Sequence, residues 1–285
     1  MAVLGVFDGV HLAHQKIIRA AVKKARATKG ESVVLTFWPH PQKEDSLCSL
    51  EHRLRLIGQL GIDTVIVLGF NRKFARISAD NFIKNILVKK IHPEYIYVGK
   101  NFTFGRAASG NYKLLSRYAR DYGYKLNAFG VIKVNNKAVS STYIRSLIRQ
   151  ARLGPAEKLL GRKVSVLGTV IKGSSLARRL GFPTANVDPH HEVVPPSGVY
   201  AVEIYLAQKK LFGVCSIGTK PTFNAGKLVH IEVHIFNFHK NIYHKILEIY
   251  FVRRIRAQRK FTSQKALTKK IKKDIISAKQ LFSLH

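Results

Sequence analysis

Gly5-Val6-Phe7-Asp8-Gly9-Val10-His11-Leu12-Ala13-His14 is the stretch that decides the fold of the first half of the chain. It overlaps the end of an apolar run, residues 2–7, that is typical of a buried strand. It leads into residues 14–28, in which apolar residues recur at helical spacing. A strand that ends in small residues and passes directly into a helix predicts a β–loop–α unit, the building block of a parallel sheet.

The same loop carries residues suited to binding phosphate groups. Small residues at Gly5, Gly9 and Ala13 let a phosphate chain approach the backbone, and the amino end of the following helix supplies free N–H groups. His11 and His14 can both point into that space, where imidazoles stabilise the charge on a leaving pyrophosphate. A pair of helix-cap or core histidines is the alternative explanation of the same spacing.

Up to about residue 150, short apolar runs alternate with helix-like segments, a pattern that predicts a parallel sheet covered by helices. Because ligands bind beyond the carboxyl ends of parallel strands, the functional loops are those after Phe7, Phe37, Leu68 and Val98. The predicted strands are residues 2–7, 33–37, 63–68 and 95–98, and the predicted helices are residues 14–28, 50–60, 79–88 and 112–122.

From residue 161 onward the pattern changes to strands separated by glycine and proline turns. This predicts an all-β domain, and the amphipathic segment 263–282 predicts a terminal helix that covers one side of a small barrel. We therefore expect two domains, residues 1–160 and residues 161–285. The predicted strands of the second domain are residues 164–171, 199–205, 211–216, 231–236 and 246–251.

The composition argues against several classes of protein. With 46% apolar residues and no low-complexity tract, the chain is not typical of disordered proteins, and its apolar runs have the length of strands rather than of membrane spans. No signal peptide is visible before the first strand, which favours the cytoplasm. Cys48 and Cys215 lie in separate segments without metal-ligand spacing, so we expect both to be reduced.

The charge of the chain is unusual, with 49 Lys and Arg residues against 16 Asp and Glu residues and a formal net charge of +33 at pH 7. A field of this sign attracts polyphosphates, RNA or acidic membrane surfaces, so it indicates a class of partner and not a reaction. Solvated helix faces are the alternative explanation of each basic run. Because the usual RNA-recognition motifs are not apparent in the sequence, we expect no specific nucleic acid partner.

Four motifs in the first half resemble those of bacterial FAD synthetases and occur in the same order. Residues 5–14 resemble the signature GxFDGxHxGH of this family, and residues 35–41, LTFWPHP, resemble its TFxPHP loop. Residues 98–105, VGKNFTFG, resemble VGxxFxFG, and residues 140–145, SSTYIR, resemble SSTxIR. The resemblance implies an α/β nucleotidyltransferase domain with a Rossmann-like parallel sheet, which transfers the adenylyl group of ATP to FMN.

The resemblance also assigns roles to single residues. It implies that His11 and His14 are catalytic and that Asn101 and Phe104 contact the flavin, although core packing explains Phe104 equally well. The residues implied to bind ATP are Gly5, Phe7, Gly9, Ser141, Thr142 and Arg145. The hydroxyls and the guanidinium of the last three are suited to phosphate, but a plain helix cap with a surface arginine is the alternative.

Two residues depart from the motifs of the first half. Ala13 stands where the family has glycine between the histidines, and a positive φ at this position would strain an alanine by about 1 kcal/mol. Trp38 stands where the family usually has an acidic residue, and it adds bulk to a ligand loop. These departures leave open an adenylyltransferase that has lost its activity.

Residues 173–186, GSSLARRLGFPTAN, combine a flexible turn, basic residues and a hydroxyl–amide pair. Thr184 and Asn186 offer neutral oxygens, which Mg²⁺ accepts when nucleotide phosphates and water complete its coordination shell. The stretch therefore predicts a site for metal-bound phosphate. A turn with an Asx-type hydrogen bond is the alternative explanation of the sequence PTAN.

This stretch resembles riboflavin kinase, and so do residues 196–200 (PSGVY), 217–223 (IGTKPTF) and 231–234 (IEVH), in family order. The resemblance implies that Glu232 is the base that takes the proton of a flavin hydroxyl as its oxygen attacks the γ-phosphate of ATP. A strand carboxylate paired with a lysine is the alternative. The resemblance further implies that ATP is bound by Gly173, Arg178 and Pro183, and that Mg²⁺ is bound by Thr184 and Asn186. It implies that Arg256 and Phe261 contact the flavin, and an exposed basic face is the alternative explanation of that segment.

Departures occur in the second half as well. Ala177 replaces a glycine that is usual in the phosphate loop, and Asn237 with His239 replaces a typically acidic stretch, which we expect to be a surface turn. Arg259 and Lys260 complete a match to the segment IRxxxKF of the family.

The resemblance as a whole implies FAD biosynthesis. Riboflavin and ATP would give FMN and ADP in the second domain, FMN and ATP would give FAD and pyrophosphate in the first, and both steps would need Mg²⁺. One alternative is a riboflavin kinase with a degenerate adenylyltransferase domain, and separate assays of the two steps distinguish it. The other is a basic protein that binds RNA or a membrane surface, which would show salt-dependent binding without flavin turnover.

Overall fold

The computed structural model of the chain describes residues 1–40, 45–173, 180–221, 227–259 and 261–283. By its internal contacts the chain divides into two compact units. The first consists of Met1–Ser46 and Leu50–Ser141, and the second of Leu47–Ser49 and Thr142–His285. The boundary that the sequence predicts after residue 160 lies further along the chain, and it stays a prediction.

The first unit is built on a five-stranded parallel sheet with helices, as the sequence predicts. Its strands are β1 (Ala2–Leu4), β2 (Val33–Trp38), β3 (Thr64–Gly69), β4 (Tyr95–Gly99), β5 (Thr103–Phe104), β6 (Gly110–Asn111), β7 (Lys125–Phe129), β8 (Lys133–Val134) and β9 (Lys137–Ala138). The order of the main sheet is β3-β2-β1-β4-β7, while β5–β6 and β8–β9 form small antiparallel pairs. All neighbours in the main sheet are parallel, so their carboxyl ends lie along one edge.

The helices of this unit follow the predicted apolar periodicity. They are α1 (Leu12–Ala27), α2 (Leu50–Gly58), α3 (Ala79–Asn81) and α4 (Tyr112–Tyr122), and α3 continues as a π-helix over Phe82–Ile91. Ile18 and Ala21 of α1 are fully buried, which is the reason for the amphipathic pattern. The sequence did not predict β7, because its residues KLNAF are half polar and give no continuous apolar run.

The second unit contains a closed barrel of six antiparallel strands in the order β10-β11-β14-β13-β12-β15. The strands are β10 (Ser165–Ile171), β11 (Ala185–Asp188), β12 (Gly198–Leu206), β13 (Lys209–Pro221), β14 (Lys227–Ile235) and β15 (Ile246–Ala257). The helices are α5 (Ser141–Arg149), α6 (Leu153–Leu160) and α7 (Gln264–Leu281). The prediction of an all-β barrel with a terminal helix is confirmed, but it missed the short strand β11.

Buried polar contacts explain why Leu47–Ser49 belongs to the second unit. The backbone N–H of Ser49 donates to the Glu192 carboxylate at 2.7 Å, and the other oxygen of that carboxylate accepts from the N–H of Leu167 in β10 at 3.1 Å. Glu192 is itself buried, so the two N–H groups stabilise a charge that burial alone would penalise.

The terminal helix α7 covers one side of the barrel. Its amino end is capped by Ser263, whose side chain accepts from the N–H of Ala266. Ala278 is fully buried in a cluster with residues of β12 and β13, and Asp274 is buried in an ion pair with Arg256 of β15. Among the described residues, the structure holds no helix with the length and hydropathy needed to cross a bilayer.

Candidate active sites

The loop after β1 has an irregular backbone. Phe7 adopts the left-handed conformation with φ of 55°, and Gly9 follows with φ of 76°. Gly5 is required by packing, because a Cβ at this position would lie 2.7 Å from the ring of Phe7. These backbone conformations turn the chain sharply between β1 and α1, so the residues predicted to line a phosphate site surround the amino end of α1.

His11 and His14 lie together at the start of α1. Their rings are stacked, with centroids 3.6 Å apart and an interplanar angle of 16°. The edge of the Phe7 ring packs against His14 at a centroid distance of 5.2 Å. His11 is buried, and Nδ1 of His14 lies out of contact with solvent and has no hydrogen-bond partner among the described residues. A buried nitrogen of this kind is costly unless a ligand pairs with it.

The electrostatic surroundings keep His14 neutral. Burial lowers the pKa of His14 well below its usual range, and the charges of His11 and Arg53 lower it further. A bound polyphosphate would reverse the sign of this field and favour the charged imidazole. The stacked pair is therefore suited to respond to negative charge as it builds up on a leaving group.

Arg53 is a feature of this site that the sequence reasoning missed. It is the largest fully buried side chain of the molecule's described residues, and Nη1 donates to the carbonyl oxygens of Val6 at 2.9 Å and Phe37 at 3.2 Å. The guanidinium also lies 5.5 Å from the centre of the Trp38 ring. The available signal was its place on the apolar face of α2, three residues after Leu50 and four before Ile57. An arginine there brings a buried positive charge to the carboxyl ends of β1 and β2.

The structure answers one question about the departures from the family motif. Ala13 lies inside α1 and is not among the residues with positive φ, so the expected backbone strain does not arise. Trp38 ends β2, and the centre of its ring lies 5.5 Å from the guanidinium of Arg53. Neither Ala13 nor Trp38 is among the residues with positive φ.

The predicted phosphate residues of the SSTYIR motif lie at the start of α5. Ser141 Oγ donates to the carbonyl oxygen of Asp8 at 2.9 Å, which ties this residue to the loop after β1. Thr142 is exposed, whereas Arg145 is buried, and both belong to the second unit. Their roles toward ATP stay a prediction.

The predicted flavin residues of the first unit differ in exposure. Asn101 is exposed after β4, and its Oδ1 lies 2.7 Å from where a Cβ of Gly99 would be. Phe104 is buried in the core, with its ring 5.2 Å from that of Phe82 and 5.7 Å from that of Phe102. These contacts support core packing for Phe104, the alternative that the sequence left open.

In the barrel, strand pairing brings the predicted base and a predicted metal ligand together. Asn186 of β11 lies directly opposite Glu232 of β14, and Ser216 of β13 lies opposite Glu232 on the other side. Opposite residues share one face of the sheet, with Cβ atoms about 5 Å apart. The carboxylate of Glu232 also acts on Cys215, since burial and then the charge of Glu232 raise the pKa of that thiol. Ser216 was not predicted as a neighbour of Glu232, because their proximity depends on the register of β13 and β14.

A cavity of about 470 Å³ lies beside these strands. Its polar lining comes from the predicted nucleotide segment and from the turn between β14 and β15, which also supplies His239. The lining residues are Val170, Gly173, Pro183, Thr184, Ala185, Asn186, Val233, Ile235, Phe238, His239, Lys240, Asn241, Ile242 and Tyr243. Asn186 thus lines the cavity and also faces Glu232 across the strands. Asn237 and His239 are exposed beside a turn, as expected, and His239 also lines the cavity.

Gly173 packs directly against the side-chain amide of Asn186. A Cβ at Gly173 would lie 2.0 Å from Nδ2 of Asn186 and 2.6 Å from its Oδ1. Only a glycine leaves room for the amide at the end of β10. The sequence assigned both residues to the nucleotide site, and the structure explains why they occur together.

Of the two residues of the second unit that are predicted to contact the flavin, Arg256 lies near the end of β15, and Phe261 lies in the connection from β15 to α7. Nε and Nη2 of Arg256 bind one oxygen of Asp274 at 2.9 and 2.8 Å, and the guanidinium lies 5.6 Å from the ring centre of Phe261. Arg256 therefore has a structural ion pair, and a flavin contact stays a prediction. Arg178 and Ala177 of the phosphate loop, Pro41, Thr222, Phe223 and Lys260 lie outside the described residues.

The donor set around the cavity fits a metal that is brought in with a nucleotide. Among the described residues, no group of three or more His, Cys, Asp or Glu side chains can hold a metal ion by itself. The hydroxyl of Thr184 and the amide of Asn186 are neutral oxygen donors at the cavity wall. Mg²⁺ is commonly bound by few protein oxygens with phosphates and water in the remaining positions.

The parallel sheet with its histidine pair and the barrel with its amide–carboxylate pair define a two-domain transferase that acts on nucleotide phosphates. Two family models agree with this class. The model described as FAD synthetase matches residues 1–143, and the model described as riboflavin kinase matches residues 160–282. The chain belongs to the family of bifunctional riboflavin kinase/FMN adenylyltransferases.

Relatives with that name match nearly the whole chain. The protein of Buchnera aphidicola subsp. Schizaphis graminum is 36% identical over 99% of this chain and 93% of its own length. The protein of Escherichia coli K12 is 33% identical over 99% of this chain and 92% of its own length. The protein of Bacillus subtilis 168 is 36% identical over 98% of this chain and 92% of its own length. A crystal structure of a macrolide-efflux protein from Streptococcus pneumoniae has the same fold, with a TM-score of 0.82 and 30% identity over 96% of this chain and 91% of that one.

Proposed function

We propose that the chain carries out both steps of FAD formation, with riboflavin phosphorylation in the barrel and FMN adenylylation beside the histidine pair. The observation that carries the kinase assignment is the register of β11 and β14, which sets Asn186, a residue of the cavity wall, opposite Glu232. The family to which the chain belongs supports both activities.

In the kinase step, the Glu232 carboxylate accepts the proton of the terminal ribityl hydroxyl. The freed oxygen attacks the γ-phosphorus of ATP, the bond to the β-phosphate oxygen breaks, and ADP leaves. Glu232 is neither buried nor fully exposed, so it can meet a substrate hydroxyl without losing all contact with solvent. The cavity that Asn186 lines has a volume of about 470 Å³, which is large enough to hold part of a nucleotide.

In the adenylyl step, a phosphate oxygen of FMN attacks the α-phosphorus of ATP and pyrophosphate leaves. His11 and His14 bind the leaving group, and the N–H groups at the start of α1 contribute further donors. The buried Arg53 adds a fixed positive charge behind the pair. Catalysis here is charge stabilisation by groups that are already in place, without a covalent enzyme intermediate.

Thr184 and Asn186 are the residues that would hold Mg²⁺ in the kinase site. A divalent cation bound there neutralises phosphate charge and orients the transferred group. We also propose a cytoplasmic location, which the two buried free thiols of Cys48 and Cys215 support, since thiols persist in a reducing compartment.

One incubation tests both activities. The chain is incubated with riboflavin, ATP and Mg²⁺, and the flavins are separated by chromatography over time. We expect FMN to appear first and FAD to follow, with pyrophosphate released in step with FAD. FMN without FAD would contradict the adenylyltransferase and favour a kinase with a degenerate first domain. No flavin product at all would overturn the whole proposal.

A further inference from the structure

We propose that His234 is a positioning residue of the kinase site, which fixes the backbone before Thr184 through a hydrogen bond to the carbonyl of Pro183. This inference rests on the kinase activity proposed above and assigns a role to a residue that the reaction itself does not use. Nδ1 of His234 lies 2.9 Å from the Pro183 carbonyl oxygen.

The position of His234 in the barrel makes this bond significant. His234 follows Glu232 by two residues on β14, so both side chains lie on the same face of the strand. The register of β11 and β14 ends at the pair Ala185 and Val233. The bond to Pro183 thus joins the two strands just beyond the last backbone pair, where the chain enters the site.

The chemistry of the two groups determines which of them donates the hydrogen bond. A carbonyl oxygen only accepts hydrogen bonds, so Nδ1 of His234 carries the hydrogen and donates it. Pro183 has no backbone N–H, so its carbonyl is the one main-chain group that it can offer to a neighbouring strand. The side chain of His234 therefore supplies an interstrand bond at a position where proline removes the backbone donor.

Two aromatic rings hold the imidazole in this orientation. Phe182, which precedes Pro183, packs its ring against His234 at a centroid distance of 6.0 Å and an angle of 83°. Phe236, the residue directly after the end of β14, packs on it at a centroid distance of 6.0 Å and an angle of 64°. The ring is therefore linked both to the segment that carries the metal ligand and to the strand that carries the base.

The carbonyl that His234 holds is separated from Thr184 by one peptide bond. A shift of this carbonyl moves Thr184 relative to Asn186, and both are predicted to bind the same metal ion. Loss of the bond should therefore weaken binding of magnesium-bound ATP, whereas Glu232 and the riboflavin hydroxyl keep their geometry. A net hydrogen-bond contribution of ordinary size corresponds to roughly a five-fold rise in KM for Mg·ATP.

The test uses three substitutions that separate the Nδ1 bond from the bulk of the ring. In His234→Asn the side-chain amide N–H₂ lies near the place of Nδ1, in His234→Gln it lies near the place of Nε2, and His234→Ala removes both. We expect the Ala and Gln variants to raise KM for Mg·ATP roughly five-fold with a smaller change in kcat. The Asn variant should keep a KM close to that of the wild type. The KM for riboflavin should stay constant in all three.

Two controls make the result specific. His230→Asn changes a histidine on the same face of β14, two residues before Glu232, and should leave the kinase constants as in the wild type. A thermal melt followed by circular dichroism reports whether each variant folds, and FAD formation from supplied FMN, which uses the other unit, should be unchanged in all of them. Calorimetric titration with Mg·ATP gives the same order of affinities without turnover.

An unchanged KM in His234→Ala would overturn the inference, and so would rescue by Gln equal to rescue by Asn. A wild-type chain that makes no FMN would instead contradict the kinase assignment, which is a separate failure. If the Ala variant does not fold, the Asn and Gln variants still show whether the hydrogen bond to Pro183 affects KM, because the two side chains place the same amide donor at different positions.

Discussion

The loop after β1 and the strand pair β11–β14 position their reactive side chains in different ways. In the loop, the rings of His11 and His14 stack with centroids 3.6 Å apart, because a left-handed Phe7 and Gly9 turn the chain into α1 within one short stretch of sequence. In the barrel, Asn186 and Glu232 are far apart in sequence and meet through regular strand pairing. The loop site depends on local backbone geometry, and the barrel site depends on register.

This difference predicts how each site responds to change. A substitution in the loop acts on the stacked imidazoles and on the buried charge of Arg53 close by. A substitution in the barrel acts through the neighbouring strands, since a strand that shifts by one residue turns its side chains to the other face. The two activities of one chain then report separately on two modes of positioning.

The largest effect is expected for Glu232→Gln. The amide keeps the shape of the side chain but cannot accept the proton, so riboflavin phosphorylation should fall by about 10² to 10⁴-fold. FAD formation from supplied FMN should be unchanged, because the adenylyl step uses the other unit. Chromatography of the flavins measures both rates.

Glu203→Gln is the matched control, since Glu203 is another barrel carboxylate and pairs with Lys163 and Lys210 instead of facing the site. It should retain kinase activity. Full kinase activity in Glu232→Gln would remove this residue from the role of base.

The next largest effect is expected for His14→Ala. If the stacked pair binds the leaving pyrophosphate, as proposed, removal of one imidazole takes away a donor, so FAD formation should fall by about 10²-fold with kinase turnover retained. Release of pyrophosphate from FMN and ATP measures the step. His92→Asn, an exposed histidine whose left-handed backbone an asparagine tolerates, should leave it unchanged. Normal pyrophosphate release from His14→Ala would exclude the pair from the mechanism.

The contrast between local loop geometry and strand register also explains which features could be predicted from the sequence. The spacing within residues 5–14 and the apolar periodicity of the first unit were enough to predict the strand, the loop and the helix, because these features are local. Residues Thr184, Asn186 and Glu232 were recognisable one by one, but their proximity was not, because β11 is only four residues long and pairs with a distant strand. Arg53 and His234 were missed for a related reason, since each acts through a contact that only the folded chain creates.

A smaller effect is expected for Gly173→Ala. The added methyl group would lie 2.0 Å from the amide of Asn186, so the amide must move. If Asn186 holds the metal ion of the bound nucleotide, as proposed, this contact weakens. We expect KM for Mg·ATP in the kinase reaction to rise by roughly ten-fold, the equivalent of one lost contact of about 1.4 kcal/mol. Gly154→Ala in α6, where the methyl group meets no neighbour within 4 Å, is the control and should keep the wild-type KM. An unchanged KM in Gly173→Ala would show that Asn186 does not bind the nucleotide.

The smallest effect is expected for Ala13→Gly, which restores the family residue between the histidines. Because Ala13 is helical and unstrained, the glycine should gain nothing from its conformational freedom and should destabilise α1 by about 0.5–1 kcal/mol. We therefore expect a melting temperature lower by a few degrees, measured by circular dichroism, and FAD formation within about three-fold of the wild type. A gain of ten-fold or more would mean that the methyl group crowds the phosphates and that the loop is a weakened form of its family's site. An unchanged rate would show instead that the geometry of Phe7 and Gly9 determines the competence of the loop, and that position 13 serves the helix.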